Sequence, residues 1–570
     1  PEVRRGLHRR VAEAMEADGG SERVMALAHH WREAGDTVKE ASSACAAGFL
    51  ALQSSACQEA VGYLMRAREL LAPQPPAAAP SRHRRSGGLR TRFDPNARVE
   101  PDGQGFRLAT IEAALAEAQF RLGDLLRCRE HAGLALRNFG YEVPGSTIRW
   151  AADIGRQSIV RGLQTLTRVR AADPQSVVRV SEEVARAQSW YVESCFYSLQ
   201  AVPLVAMSLR LLNQCEPAGA SPDLAKAYML AGIIASTVPV HSLAKRWSRH
   251  ALRLGESLGR QRELAWLLSR AGVVQVAVCD WDELDAGLGR AVRIAEEVGD
   301  LRLWAECHSQ LGVSALFKAQ FERGLVHGSE CRRLGHRGAN RQVECWGALE
   351  IGDHLIRLGR TSEALQAYGA ARALLDEQAM RSEVLWVEGM SALALLRTGD
   401  TQGAYTAARR ALEWMRSTVP VTYWTQQSMA ATAEVLLTLW EGEAAPRARS
   451  TVAAEARDAC RALRRYARRF YLGRSHACLW EGLYAALSGR RQRAFRLWQR
   501  SIALAERYRT PYELARAHFE IGRHAATSDA RITHLNEAMC GFERLGCVID
   551  LAYARDACES VSRAARPVAA

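Results

Sequence analysis

Few side chains in this chain have a type and spacing that could do chemistry. His29 and His30 are adjacent, not four residues apart, so one helix face cannot present both to a metal. They read as a helix-packing pair. Asp280 and Asp282 are close enough for acid–base work but fall in a turn, where carboxylates are expected to cap the following helix. No Gly-x-x-x-x-Gly-Lys-Ser/Thr loop, no Gly-x-Gly-x-x-Gly after a strand and no His-Glu-x-x-His is present. The expectation is a chain without catalytic, cofactor or metal residues of its own. Aromatic residues are the stronger lead. Trp266, Trp346 and Trp386 occupy one slot of a forty-residue frame, and Trp304 lies two residues off the missing member. Asp353 and Arg357 follow Gly352 by one and five residues. These five (Trp266, Trp346, Asp353, Arg357 and Trp386) form a candidate partner-binding groove, with exposed Trp as the anchor. The alternative is that each Trp packs on the next repeat.

The frame itself is set by small residues. Gly232, Gly272, Gly312 and Gly352 are forty residues apart, and Ala392 takes the next place. Twelve residues after each come Ala244, Leu284, Gly324, Ala364 and Ala404, and seven later Ala251, Ala291, Cys331, Ala371 and Ala411. Self-similarity at this period means one supersecondary unit stacked many times. Glycine inside a helix costs about 1 kcal/mol against alanine. Its recurrence at one slot predicts close helix crossings there, with Gly272, Gly312 and Gly352 buried.

The spacing of small, twelve, small, seven, small resembles the tetratricopeptide repeat. The turns Leu358-Gly359-Arg360 and Thr398-Gly399-Asp400 agree with it. Related triplets stand at Gly48/Ala60/Ala67, Ala116/Cys128/Ala135 and Gly482/Ala494/Ser501. The resemblance implies an all-α chain, an α-solenoid of helix hairpins, here with a forty-residue period in place of that family's 34. Composition agrees: 48% of the residues are hydrophobic, and strand-like alternation is nearly absent.

Charge and cysteine bound the setting. The formal net charge is +14, yet Lys39, Lys226, Lys245 and Lys318 are the only lysines, which reads as a coding preference for arginine. One stretch, from Arg447 to Arg500, is strongly basic and holds only Glu455, Asp458 and Glu481 as acids. Its Arg461, Arg464, Arg465, Arg468, Arg469, Arg490, Arg491 and Arg493 form a candidate basic patch, either a solvated face or a surface for an acidic partner or phosphate backbone. Fourteen scattered cysteines without a Cys-x-x-Cys suit a reducing cytoplasm. No apolar run approaches the ~18 residues of a membrane span.

Along the chain, helices are expected at 7–18, 22–34, 37–52 and 56–71. Residues 73–105 are rich in Pro, Arg and Gly and are expected to form a disordered tether. Degenerate helical repeats follow over 106–215, regular repeats over 216–416, and degenerate ones again over 417–570. Within 1–72, Leu7-His8-Arg9-Arg10-Val11-Ala12, Leu27-Ala28-His29-His30-Trp31-Arg32-Glu33-Ala34-Gly35-Asp36 and Gln58-Glu59-Ala60-Val61-Gly62-Tyr63-Leu64 resemble the segment that follows the ATPase module in bacterial signalling ATPases of the AAA/STAND type. Many of those carry a class III adenylate or guanylate cyclase domain, others a kinase. The resemblance implies a regulatory or sensor arm whose ATP site and any cyclase domain lie upstream of Pro1. The opening Pro-Glu-Val, without Met, is expected to be internal to a longer protein. A protein partner, or the chain's own upstream ATPase or cyclase domains, is expected. Nucleic acid contacted through the arginine stretch is the alternative.

Overall fold

The computed structural model describes residues 2–18, 23–72, 103–167, 175–238, 240–377, 380–417, 422–442 and 448–565. Among them are twenty-six α-helices and no strand. Most of the expected 73–105 tether and Arg447 lie outside the described residues. Helix α5 begins at Gln104, two residues before the expected resumption of helix.

The chain divides into two compact units. The first comprises Pro1–Cys195 and Val202–Gly219. Its helices are α1 (Glu2–Ala17), α2 (Val24–Ala34), α3 (Thr37–Gln53), α4 (Cys57–Leu71), α5 (Gln104–Leu122), α6 (Leu125–Asn138), α7 (Thr147–Thr167), and all but the ends of α8 (Gln175–Tyr197) and α9 (Ala201–Ala218), where Phe196, Tyr197 and Ala201 belong to the second unit. Leu64, Ile111, Leu115 and the alanines around them form one core joining α3, α4 and α5. Asp36 and Asp124 cap α3 and α6 through backbone N–H groups three residues on.

The second unit comprises Phe196–Ala201 and Ala220–Ala570. Its hairpins are α10 (Pro222–Thr237) with α11 (His241–Leu258), α12 (Gln261–Val278) with α13 (Trp281–Glu297), α14 (Leu301–Phe317) with α15 (Phe321–Arg337), α16 (Arg341–Arg357) with α17 (Thr361–Leu374), and α18 (Arg381–Arg397) with α19 (Thr401–Ser417). They continue as α20 (Gln426–Glu441) with α21 (Arg449–Arg469), α22 (Arg474–Leu487) with α23 (Arg491–Tyr508), and α24 (Pro511–His524) with α25 (Ser528–Arg544), followed by α26 (Val548–Ala565). The first helix of each regular hairpin is buried on nearly every side, as α14 and α16 show. The second helix is amphipathic. In α15 only Phe321, Gly324, Gly328, Cys331, Leu334 and Gly335 are buried, all on one face.

The forty-residue period extends to backbone dihedrals. Cys279, Ala319, Gly359 and Gly399 close successive first helices in the left-handed region, with φ of 60°, 54°, 80° and 87°. Where cysteine or alanine takes the slot, the turn is kept at the cost of holding an L-side chain in αL. Ser221, Asp300 and Asn340 cap first helices, α10, α14 and α16. Asp280 does not: its carboxylate takes Lys245 at 3.1 Å and makes no cap bond, while Asp282 pairs with Arg509 at 2.9 Å. The capping expectation fails: Asp282 lies within the first turn of α13, past the capping position, and Asp280 holds Lys245 of the preceding hairpin instead.

Gly232, Gly272, Gly312 and Gly352 are buried. At Gly232 a β-carbon would meet the backbone of α11, 3.3 Å from Ala244 O, as a close crossing requires. At Gly272 and Gly312 it would meet side chains of the next hairpin, 2.2 Å from Gln310 Oε1 and 2.6 Å from Glu350 Oε2. There glycine makes room for a polar group, not for a backbone.

Within this unit the coil returns to its own edge. Trp281, at the start of α13, donates its indole N–H to Tyr508 O at 2.7 Å, across 227 residues. His241 packs edge-on to Tyr471. Leu316 and Phe321 share a core with Tyr512, Phe519, Phe542 and Leu551. The turns of the early hairpins are thus the floor on which α24–α26 rest.

Candidate functional site

The first helices α12, α14, α16 and α18 carry a polar ladder whose rungs are about one repeat apart. Arg270 Nη1 and Arg302 Nε donate to the two oxygens of Glu306, at 2.7 and 2.8 Å. Arg302 also reaches Gln342, Gln342 donates to Glu383 at 3.0 Å, and Glu383 accepts from Trp346 Nε1 at 2.7 Å. Burial would raise the Glu306 carboxyl, but the two guanidinium groups outweigh it and hold it below its usual range. Glu350 has no such neighbours, and burial pushes it well above the carboxylate range.

Over this ladder lies a small, partly open cavity of about 30 Å³, lined by residues of the second unit. Val273 and Val313 supply aliphatic surface, and Glu306, Ser309 and Gln310 the polar edge. Its other walls are aromatic: Phe196, Tyr197, Trp346, Trp386, Tyr423 and Trp424. Tyr197 stacks on Trp424 at 6.0 Å and 24°, and lies against Trp346 at 5.4 Å. Arg302 sits over both Tyr197 and Trp346.

Of the five groove candidates, the structure brings Trp346 and Trp386 to this pocket. Both are buried, and Trp386 donates to Asp353 at 2.9 Å, so they pack between repeats as well as lining space. Trp266 is half-buried beneath Lys226 and Arg270 and is not among the lining residues. Asp353 and Arg357 do not line a groove either. Asp353 accepts from Trp386 and Tyr368, and burial raises its carboxyl to about 7. Arg357 donates to Tyr512 OH and Gln427. It joins a buried junction in which Asp550 of α26 takes Arg397 at 3.1 Å and Arg516 at 3.4 Å. Arg357 is therefore enclosed by the chain's own α20, α24 and α26.

Sequence reasoning missed Glu306. It stands in the vacant Trp slot, forty residues after Trp266 and forty before Trp346. A lone carboxylate in an aromatic series was the available signal.

The arginine stretch forms exposed faces on α21 and α23. Arg461, Arg464, Arg465, Arg468, Arg490, Arg491 and Arg493 are exposed and Arg469 is half-buried. The acids are already engaged: Glu455 by Arg409, Asp458 by Arg416, Arg457 and Arg461, and Glu481 by Arg464. Arg465, Arg468, Arg491 and Arg493 form no ion pair among the described residues. In the first unit, His30 Nδ1 lies 2.9 Å from His8 Nδ1, a contact between α1 and α2. No group of three or more ligating side chains among the described residues is arranged to hold a metal, and no described helix is long and apolar enough to cross a membrane.

No family model matches the chain, and no curated protein does. Solved structures do. A Rap protein complexed with competence and sporulation factor aligns over 70% of this chain and 98% of its own, at 12% identity and a TM-score of 0.44. The human IFIT1 dimer with m7Gppp-AAAA aligns over 73% and 95%, at 14% identity and 0.37. The APC/C hetero-tetramer Cut9–Hcn1 aligns over 98% and 93%, at 12% identity and 0.37. The fold of this chain is an all-α solenoid of helix hairpins.

Proposed function

We propose that the chain is a non-catalytic helical-repeat scaffold, the regulatory or sensor arm of a multidomain signalling ATPase, with the aromatic pocket as its recognition point. The observation that supports this reading is the pocket itself. Hairpins built on one repeated slot bring Trp346 and Trp386 together with Trp424, Tyr197 and Tyr423, over a carboxylate that two arginines hold ionised. A mostly apolar concavity with a few convergent polar groups is the usual form of a binding site. The partner would be a protein, or the ATPase or cyclase domains that the resemblance of residues 7–67 implies upstream. ATP would be bound there and not in this chain. The test is to join the chain to its encoded upstream region and measure ATP turnover with and without residues 222–565. A change in turnover of several-fold is expected. An upstream region without a phosphate loop, or turnover indifferent to the deletion, would overturn the reading.

A second reading rests on the exposed arginine faces of α21 and α23, whose neighbouring acids are already paired: an arm that touches nucleic acid. Binding of that kind falls by ~10³-fold or more between 50 and 200 mM salt for several phosphate contacts. Sub-micromolar binding of DNA or RNA, lost on reversing Arg464, Arg465, Arg468 and Arg491, would favour this reading over the first.

A further inference from the structure

The positive charge of the chain is concentrated. Between Arg447 and Arg500 stand fourteen arginines and three acids, so this stretch carries eleven of the chain's fourteen net charges. A coding preference for arginine acts on the whole sequence and does not gather the surplus in one place. The helices carry it in two rows. On α21, Arg457, Arg461, Arg464, Arg465 and Arg468 lie three or four residues apart on one helix face, and every exposed residue from 457 to 468 is one of them. This row is about 16 Å long. On α23, Arg493, Arg496 and Arg500 form a second row, with Arg490 and Arg491 at its start. Glu481 of α22 ties the rows together: Arg464 lies 2.9 Å from it, and the charges of Arg468 and Arg493 both act on it. One carboxylate thus stands among three guanidinium groups. Arg465, Arg468, Arg491, Arg493, Arg496 and Arg500 form no ion pair among the described residues.

The kind of partner follows from the rest of the face. Helices α21, α22 and α23 expose no large apolar residue. The core of a protein interface is built on apolar and aromatic anchors, whereas interfaces with nucleic acid are more polar and far more positive. Every aromatic residue of these helices is buried or half-buried, so the bases of a single strand have no platform to stack on. The row on α21 has no hydroxyl or amide among its exposed residues, the groups that would meet the 2′-hydroxyls of an RNA duplex. The phosphate backbone of a DNA duplex needs only the cations.

We infer that the arginine face of α21 and α23 binds double-stranded DNA through its phosphate backbone. The inference rests on the second reading above, and it names the form of nucleic acid and the residues that hold it.

The test is fluorescence anisotropy of the full chain with a labelled DNA duplex of about 20 base pairs, the RNA duplex of the same sequence and the separate DNA strands, between about 50 and 200 mM salt. The DNA duplex should bind, with log Kd rising against log salt at a slope of about 5, from six unpaired arginines at ~0.9 each. Arg465→Ala, Arg468→Ala, Arg491→Ala and Arg493→Ala together should cut the slope to about 2 and weaken binding at least about tenfold at low salt. Arg246→Ala, Arg249→Ala, Arg253→Ala and Arg260→Ala together remove the same charge from exposed positions on and beside α11. That control should weaken binding less than about threefold, since screening confines the effect of a distant charge. Circular dichroism checks that both variants keep the helical fold. If either misfolds, the slope and the ranking of the nucleic acids on the unaltered chain still decide. Single strands or the RNA duplex binding as tightly as the DNA duplex would overturn the inference and leave the second reading standing. Silence from every nucleic acid at about 50 mM salt would remove both. An equal loss in the control variant would reduce the binding to attraction by net charge. Displacement of the duplex by poly-glutamate at equal charge would assign the face to an acidic protein.

Discussion

Asp353 is a carboxyl held far from its ordinary state. Burial raises it from 3.8 to about 7, while the unfolded chain keeps the ordinary value. A group raised in the folded state gives its full stabilisation below about pH 4 and loses it as pH rises through about 7. His327 has the opposite sign. Burial lowers it to about 4, so its contribution is present above pH 6.5 and is lost as pH falls toward 4. Asp353→Asn removes only the first effect. The unfolding free energy of the unaltered protein should therefore decline relative to Asp353→Asn between pH 4 and pH 7, by up to about 4 kcal/mol, and run parallel above that; denaturant melts at pH 5, 6, 7 and 8 measure it. Two backbone positions give simpler expectations. Ala339 is exposed and holds φ at 49°. Ala339→Gly relieves that strain and should stabilise by about 1 kcal/mol in the same melts. Gly312→Leu drives a side chain into Glu350 and should cost roughly 1–3 kcal/mol.

At the scale of elements, α26 is held by charge as much as by its apolar face. Asp550 is buried between Arg397 and Arg516 and hydrogen-bonds Tyr512. Removing one partner from such a junction strands the others and costs about 3–5 kcal/mol. Asp550→Asn should do this, and hydrogen exchange should show α24–α26 losing protection before α12–α16. The helices themselves were legible in the sequence. Small residues at fixed intervals marked each hairpin, and the observed bounds of α3 (Thr37–Gln53) and α4 (Cys57–Leu71) differ from the expected ones by a single residue. What occupied the groove was not legible. Arg357 and Asp550 are 193 residues apart in sequence, and nothing local marks either as the other's neighbour. Asp280 failed as a cap for the same reason, since Lys245 belongs to the preceding hairpin. The pocket was half legible: periodicity exposed the Trp slot but read Glu306 as a gap.

At the scale of the second unit, repeat arrays usually behave one-dimensionally, each hairpin touching only its neighbours. This one does not, because Trp281 is bonded to Tyr508 and early turns share a core with α24–α26. Its unfolding should be a single cooperative transition. Trp281→Ala, which deletes both the bond and the stack on Phe317, should split or broaden that transition in thermal melts while the helical content at low temperature stays intact. The same closure sets a schedule for biosynthesis. A ribosome adds about 5–20 residues per second, so the turn at Trp281 leaves it some 10–50 s before Tyr508 exists to cover it. Through that interval the nascent coil carries an uncovered seam of Trp281, Leu316 and Phe321, and the cell must keep it from sticking to anything else.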